Sequence, residues 1–156
     1  VFLRTAAIVS LVYALGHMSG TRWTPSADAA PSGVVAQMRA VSFLAEGTNR
    51  TYWDYYLGFG LIVGAFLAFQ AASLWLLAGV ARRDARLAVP LATTFLVGSL
   101  VNAALAFHYF FALPGVLAVV IAILLAAAIG SSYARASQEA SAPSAREPIP
   151  NKADAA

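Results

Sequence analysis

Long runs of apolar residues with almost no charge are the feature that most restricts how this chain folds. They cover residues 53–80, 87–113 and 116–133, and a fourth run, 1–20, contains one charged residue, Arg4. About twenty helical residues span about 30 Å, the thickness of the hydrocarbon core of a bilayer. The sequence therefore predicts an all-α integral membrane protein whose transmembrane domain, residues 1–133, is a four-helix bundle.

Composition supports this prediction and excludes several other classes of protein. Hydrophobic residues make up 60% of the chain and charged residues only 11%, against about 25% charged in soluble proteins. The net charge of +3 comes from scattered basic residues and one short cluster, Arg82 to Arg86, so no nucleic-acid partner is expected. The absence of cysteine excludes disulfides and thiolate metal sites, and we predict no metal site.

The first run has a second interpretation, a cleaved signal peptide. Arg4 precedes the apolar stretch, and Ala27-Asp28-Ala29 resembles a cleavage site with small residues on either side. The interval between the two is long and contains Arg22 and Trp23, so a retained span is favoured and the signal peptide stays an alternative.

Two polar segments flank the predicted spans. Residues 21–52 form an outer loop, in which Val34–Ala45 has apolar residues at helical spacing and is predicted to be a short amphipathic helix that ends at Gly47. Residues 134–156 are rich in serine, alanine, proline and charge, and we expect a disordered cytoplasmic tail.

Small residues recur every fourth position in two of the spans. They are Gly60, Gly64, Ala68 and Ala72 in the second, and Ala118, Ala122, Ala126 and Gly130 in the fourth. Small side chains let helices approach closely in lipid, so both rows are predicted to be helix interfaces.

Positive charge near the spans predicts their orientation. Four spans place alternate connecting segments on the same side of the membrane. One side receives Arg4, the cluster from Arg82 to Arg86 and the tail with Arg135, and the positive-inside rule makes that side the cytoplasm. The expected location is the inner (plasma) membrane of a bacterium, with both termini cytoplasmic and residues 21–52 outside.

Titratable side chains from three spans fall near the outer surface. His17 ends the first span, Asp54 begins the second, and His108 lies about 9 Å below the outer end of the third. Ionisable residues within a membrane are costly, so these three are the catalytic candidates. The predicted ligand-binding set is Tyr13, His17, Trp53, Asp54, Asn102, His108 and Tyr109.

Each member of that set has a structural alternative. His17 and Asp54 would be well solvated in the headgroup zone, and His108 would make a structural hydrogen bond to a neighbouring helix. Gln70 and Asn102 lie near the middle of the membrane, where interhelical hydrogen bonds are favoured. Asn102 could instead form the floor of a pocket that opens outward.

Two motifs carry a family resemblance. Gly16-His17-Met18-Ser19-Gly20, paired with residues 52–60 (YWDYYLGFG), resembles a group of small, uncharacterised bacterial four-span membrane proteins over residues 5–130. In outline the chain is also similar to DoxX-like and EXPERA-like four-helix membrane proteins, which implies quinone-linked redox chemistry, sterol isomerisation or lipophilic ligands. The acidic residues that the isomerases carry inside their spans are missing here.

Binding of a lipophilic small molecule, in a pocket open to the outer leaflet, is the function that the sequence favours. The alternatives are an accessory or structural subunit of a larger membrane complex and a membrane-embedded enzyme. Such an enzyme would be an isomerase or hydrolase using a histidine with Asp54, or a haem protein with His17 and His108 as axial ligands, although no cofactor is predicted. The expected partners are the bilayer, a lipophilic ligand, and a membrane protein or a second copy of the chain.

Overall fold

The structure, a computed structural model, describes residues 1–20 and 29–141 of the chain. In chain order, the described elements are helices α1 (Phe2–Met18) and α2 (Ala29–Ala40), strands β1 (Ser42–Ala45) and β2 (Thr48–Thr51), and helices α3 (Tyr52–Arg83), α4 (Ala85–Tyr109) and α5 (Ala112–Ser141). Part of the predicted loop, residues 21–28, and the tail residues 142–156 lie outside the described residues.

Helices α1 and α3 pack side by side in opposite directions. Three contacts follow one another along the pair: Arg4 with the Trp75 ring, Ser10 with Gln70, and His17 with the Gly60 carbonyl. Residue numbers rise on α1 as they fall on α3, which makes the pair antiparallel. The cytoplasmic arginine predicted at the start of α1 therefore lies at the same end of the molecule as Arg82 and Arg83.

A single residue separates α3 from α4. Asp84 is both the C-cap of α3 and the N-cap of α4. Its carboxylate accepts a hydrogen bond of 3.1 Å from the Leu87 amide at the start of α4. Only Phe110 and Phe111 separate α4 from α5, which pack closely on each other. Because α1 also contacts α5 and α3 contacts α4, the two helix pairs close around one core.

The core contains few large side chains. Leu74, Ile121 and Leu125 are fully buried, and Gly64 allows α1 to approach α3, because a Cβ at this position would overlap the Met18 side chain. The predicted rows of small residues are only partly correct: Gly64, Ala118 and Ala122 are buried and Gly60 is half-buried, whereas Ala68, Ala72, Ala126 and Gly130 are exposed. A strict four-residue spacing drifts around a helix of 3.6 residues per turn, so a long row leaves the interface.

The outer segment differs from the prediction of a helix over 34–45. Helix α2 begins and ends earlier, and residues 42–45 form β1, which pairs with β2 in a hairpin. Glu46 and Gly47 connect the strands with φ of 50° and 76°. Two consecutive residues at positive φ are typical of a tight hairpin turn, so Gly47 turns a hairpin here and does not end a helix.

Two helix boundaries are also corrected. Helix α4 ends at Tyr109, before the predicted break, and Pro114 lies in the first turn of α5, where proline is tolerated. At its other end α5 continues to Ser141, so the first residues of the predicted disordered tail are helical. Alanine, a strong helix former, recurs there.

Three of the described helices are long and apolar enough to cross a membrane: α3, α4 and the part of α5 up to Ala134. Their outward surfaces are apolar, with Phe66, Phe69 and Leu76 among the most exposed side chains. A water-soluble monomer rarely exposes an apolar surface of this extent, which indicates a membrane protein. Helix α1 is apolar as well but has 17 residues.

Candidate functional site

Two polar pairs lie inside the bundle and tie α1 to its neighbours. The Gln70 side chain donates from Nε2 to the Ser10 Oγ at 3.0 Å, and Ser10 is completely buried. Tyr13, one turn further along α1, is buried with the Asn102 side chain of α4 within hydrogen-bonding reach of its hydroxyl. The interhelical hydrogen bond predicted for Gln70 is confirmed, and Asn102 is brought beside Tyr13.

Ser99 is the exception within this interior. It lies one turn before Asn102 on α4 and is buried, and its hydroxyl makes no hydrogen bond to any described residue. A serine in a helix can turn its hydroxyl onto the carbonyl four residues earlier, as Thr93 and Thr94 of the same helix do.

His17 is anchored to the backbone of α3. Its Nε2 lies 2.9 Å from the Gly60 carbonyl oxygen, which can only accept, so Nε2 carries the hydrogen of this bond. Gly60 lies about 9 Å along α3 from Asp54, at the rise of an α-helix. His17 is therefore deeper in the bundle than Asp54, and the two residues do not share the single layer that the sequence predicts.

Asp54 lies in the first turn of α3 and takes part in capping it. The Thr51 Oγ1 accepts from the Asp54 amide at 3.1 Å, and the Asp54 Oδ2 accepts from the Thr51 amide at 2.8 Å. Together these two bonds form a capping box, which satisfies backbone donors that a helix start otherwise leaves unpaired. Asp54 is exposed, and Arg50 is near enough to act on its carboxylate electrostatically.

His108 and Tyr109 lie at the end of α4, and both are exposed. Their rings meet edge to face, with centroids 4.4 Å apart. Among the described residues, His108 makes no hydrogen bond to a neighbouring helix, so the structural alternative for His108 finds no support here. Its exposure at the end of α4 is instead compatible with the hydrated zone.

His17 donates from Nε2 to the Gly60 carbonyl, which leaves the lone pair on Nδ1, and His108 packs edge to face on Tyr109. Within residues 1–20 and 29–141, no three histidine, aspartate or glutamate residues gather in a group that could hold a metal ion.

Aromatic side chains surround the start of α3. Phe43 of β1 packs against Tyr52 and Tyr55, with ring centroids 4.9 and 5.1 Å apart. Trp53 packs against Tyr56, and the Arg39 guanidinium of α2 lies 4.6 Å from the centre of a Trp53 ring. The hairpin and α2 are therefore both fastened to the first turns of α3, and Trp53 serves as an anchor for α2.

A groove runs down the outer face of α3 from this cluster. It has a volume of about 240 Å³, and we call it the α3 groove; it is lined by Arg50, Asp54, Tyr55, Gly58, Phe59 and Ile62. A Cβ at Gly58 would meet no atom within 4 Å, so the missing side chain leaves a notch between its neighbours. The groove is open along its side, which suits a molecule lying against the helix.

Of the predicted site residues, only Asp54 lines this groove, and five of its six lining residues are absent from the predicted set. A signal for them exists in the sequence, because Asp54, Gly58 and Ile62 follow at four-residue spacing with glycine between two larger residues. Arg50 has no such signal. It reaches the groove because the hairpin register pairs it with Phe43, which packs on Tyr55.

Comparisons of the chain with family models, with curated proteins and with solved structures give no match.

Proposed function

We propose that this protein binds an amphipathic, lipid-like molecule in the α3 groove, at the outer surface of the membrane. The observation that carries the proposal is the order of side chains down α3. Arg50 of β2 and Asp54 lie beside the start of the helix, Tyr55 and Gly58 follow, and Phe59 and Ile62 lie lower down. This order, from charged to aromatic to apolar, matches a polar head followed by a hydrocarbon chain.

The proposal requires the start of α3 to lie at the membrane surface. Trp53, Tyr55 and Tyr56 lie there, and such aromatic residues are typical of the membrane–water interface. From Asp54 to Ile62 the helix descends about 12 Å, which is enough to pass from the headgroups into the hydrocarbon. Phe59 and Ile62 are 63% and 51% exposed, so they offer an apolar surface to a ligand.

The same proposal includes four membrane spans with both ends on the cytoplasmic side. Helix α1 would span with the others, because its outward residues Ile8, Val12 and Leu15 are apolar and more than half exposed. At 17 residues it is about 25 Å long, near the lower limit for a span. The arginines at the start of α1 and the end of α3 gather at one end, as the positive-inside rule requires of a cytoplasmic surface.

This topology is testable by cysteine labelling, because the chain contains no cysteine of its own. Three single variants are made: Val1→Cys, Thr48→Cys and Gln138→Cys, all at exposed positions. In intact cells a membrane-impermeant maleimide labels Thr48→Cys alone, and the other two react only after lysis. Labelling of Val1→Cys together with Thr48→Cys would mean that α1 does not span.

Binding in the α3 groove is tested by filling its notch. Gly58→Leu places a side chain in the notch, and Gly98→Leu on α4 is the matched control, because Gly98 is exposed and its Cβ also meets nothing within 4 Å. Native mass spectrometry of the purified protein with added dioleoyl phosphatidylethanolamine measures the lipid retained. The wild type and Gly98→Leu keep one lipid that Gly58→Leu loses; equal retention by all three would refute the proposal.

A second candidate function is an accessory subunit of a membrane complex or of a homo-oligomer. The observation that favours it is the outward position of Ala65, Ala68 and Ala72 on α3, small residues that leave room for another helix. Co-purification of a stoichiometric protein in mild detergent, or a dimer mass for the chain alone, would support this function over a monomeric binding protein.

We propose no catalytic role for His17 or Asp54. Their hydrogen bonds, to the Gly60 carbonyl and to the Thr51 backbone, are those of residues that fasten α1 to α3 and cap α3.

A further inference from the structure

The α3 groove carries two opposite charges that are held apart. Arg50 donates from its guanidinium to the Asn49 carbonyl at 3.3 Å, and the Asp54 Oδ2 accepts from the Thr51 amide. Within the described part of the chain neither charge forms an ion pair, although both line the same groove. A positive and a negative group at one end of an apolar groove form a dipolar recognition surface.

Local structure explains why these charges stay apart. Asp54 is held by the capping box, which fixes its carboxylate on the backbone at the helix start. Arg50 is held by the hairpin, because its register partner Phe43 packs on Tyr52 and Tyr55 of α3. A slip of one residue in this register would turn Arg50 to the other face of the hairpin. The Asp54 carboxylate and the backbone of Arg50 therefore have positions set by local structure.

We infer that the α3 groove recognises a zwitterionic phospholipid of the bilayer, with Arg50 contacting the phosphate and Asp54 the ammonium group of one headgroup. This inference rests on the proposed function and names the ligand class of the same groove. A guanidinium suits a phosphate, with which it forms charge-assisted hydrogen bonds. The Asp54 Oδ1 is left by the capping box for a second bond, and an ammonium group is the complementary donor.

The chemistry separates this ligand from two other lipid classes. An anionic lipid such as phosphatidylglycerol offers the phosphate to Arg50 but places no positive charge beside Asp54. A cationic lipid with no phosphate offers the reverse. Only a headgroup with both charges satisfies both residues, while the Phe59 and Ile62 surface below accepts the acyl chain of any of the three.

The test compares dioleoyl phosphatidylethanolamine with dioleoyl phosphatidylglycerol, which share their acyl chains, on the full chain in detergent by native mass spectrometry. The wild type is expected to prefer phosphatidylethanolamine by about three- to fivefold, the size of effect that one partly exposed ion pair provides. Asp54→Asn keeps an oxygen acceptor for the Thr51 amide but removes the charge. The preference should therefore disappear, with the two lipids retained about equally. Arg50→Gln should weaken the retention of both lipids by a similar factor.

A matched variant excludes a general effect of charge at this surface. Glu46→Gln removes one negative charge from the exposed hairpin turn, outside the α3 groove. It should not change the lipid preference. If Glu46→Gln abolishes the preference as Asp54→Asn does, the inference is overturned.

The outcomes also separate this inference from the proposed function. Equal retention of the two lipids by the wild type, together with loss of both in Gly58→Leu, would overturn the headgroup assignment and leave lipid binding in the groove intact. Retention that Gly58→Leu does not alter would refute both.

Discussion

The N-terminal end of α3, which is its outer end in the proposed topology, and the middle of the bundle both carry polar side chains, but they use them in different ways. In the middle, Gln70 bonds Ser10 and Asn102 lies within reach of Tyr13, so one polar group satisfies another across a helix interface. At the outer end, Arg50 and Asp54 make only local backbone bonds and keep charge facing the groove. Polar groups paired with each other hold the fold together, whereas charges left facing a groove can bind another molecule.

The largest effect is expected in the middle of the bundle, where α1 and α3 approach each other most closely. Gly64→Leu should lower the free energy of unfolding by about 1–3 kcal/mol, because the new side chain must displace Met18 and push α1 away from α3. Thermal unfolding in detergent measures the loss, with Gly98→Leu as the control, since its Cβ has open space. Equal melting temperatures for the two variants would mean that α1 does not depend on this close approach.

An intermediate effect is expected at the outer end. Thr51→Ala removes the hydroxyl that accepts the hydrogen bond of the Asp54 amide. The free energy of unfolding should fall by about 1 kcal/mol, because the start of α3 loses its cap. Thr93→Ala is the control, because the Thr93 Oγ1 bonds to a carbonyl within its own helix and faces outward, and its loss should cost less than about 0.5 kcal/mol. Chemical unfolding, followed by helical circular dichroism, compares the two. A larger loss in Thr93→Ala would contradict the capping role.

The smallest effect is expected for the pair Ser10 and Gln70. A double-mutant cycle with Ser10→Ala and Gln70→Leu should give a coupling of about 0.6 kcal/mol, since partners in the unfolded membrane state also satisfy such groups. Unfolding of the four proteins in mixed micelles gives this value. A coupling of zero would show that the two side chains do not bond in the membrane, and the contrast with the outer end would then lose its main support.

The sequence was a good guide wherever a local pattern decides the result. Apolar runs predicted the three long helices, because a residue's transfer to lipid depends mainly on its own side chain. The prediction of a helix over 34–45 was wrong in its second half, because the apolar spacing there is compatible with a helix or a strand. The turn at Glu46 and Gly47 favours the hairpin.

The candidate site was predicted less well. Depth along each span placed His17, Asp54 and His108 in one layer, but α1 ends below the start of α3, so His17 meets Gly60 and lies deeper than Asp54. Nothing in a single sequence reports how far one helix is shifted along another. The same limit applies to partners: Gln70 and Asn102 were recognisable as bonding residues, but Ser10 and Tyr13 were not recognisable as their partners.

The sequence by itself determined that this is a membrane protein, how many apolar segments it has, and at which end of the bundle positive charge gathers. These properties add up residue by residue and need no knowledge of neighbours. The tertiary structure decided which faces of the helices meet, and that the hairpin register sets Arg50 beside Asp54 above an apolar groove. That arrangement depends on distances between residues on separate elements, which side-chain packing alone determines.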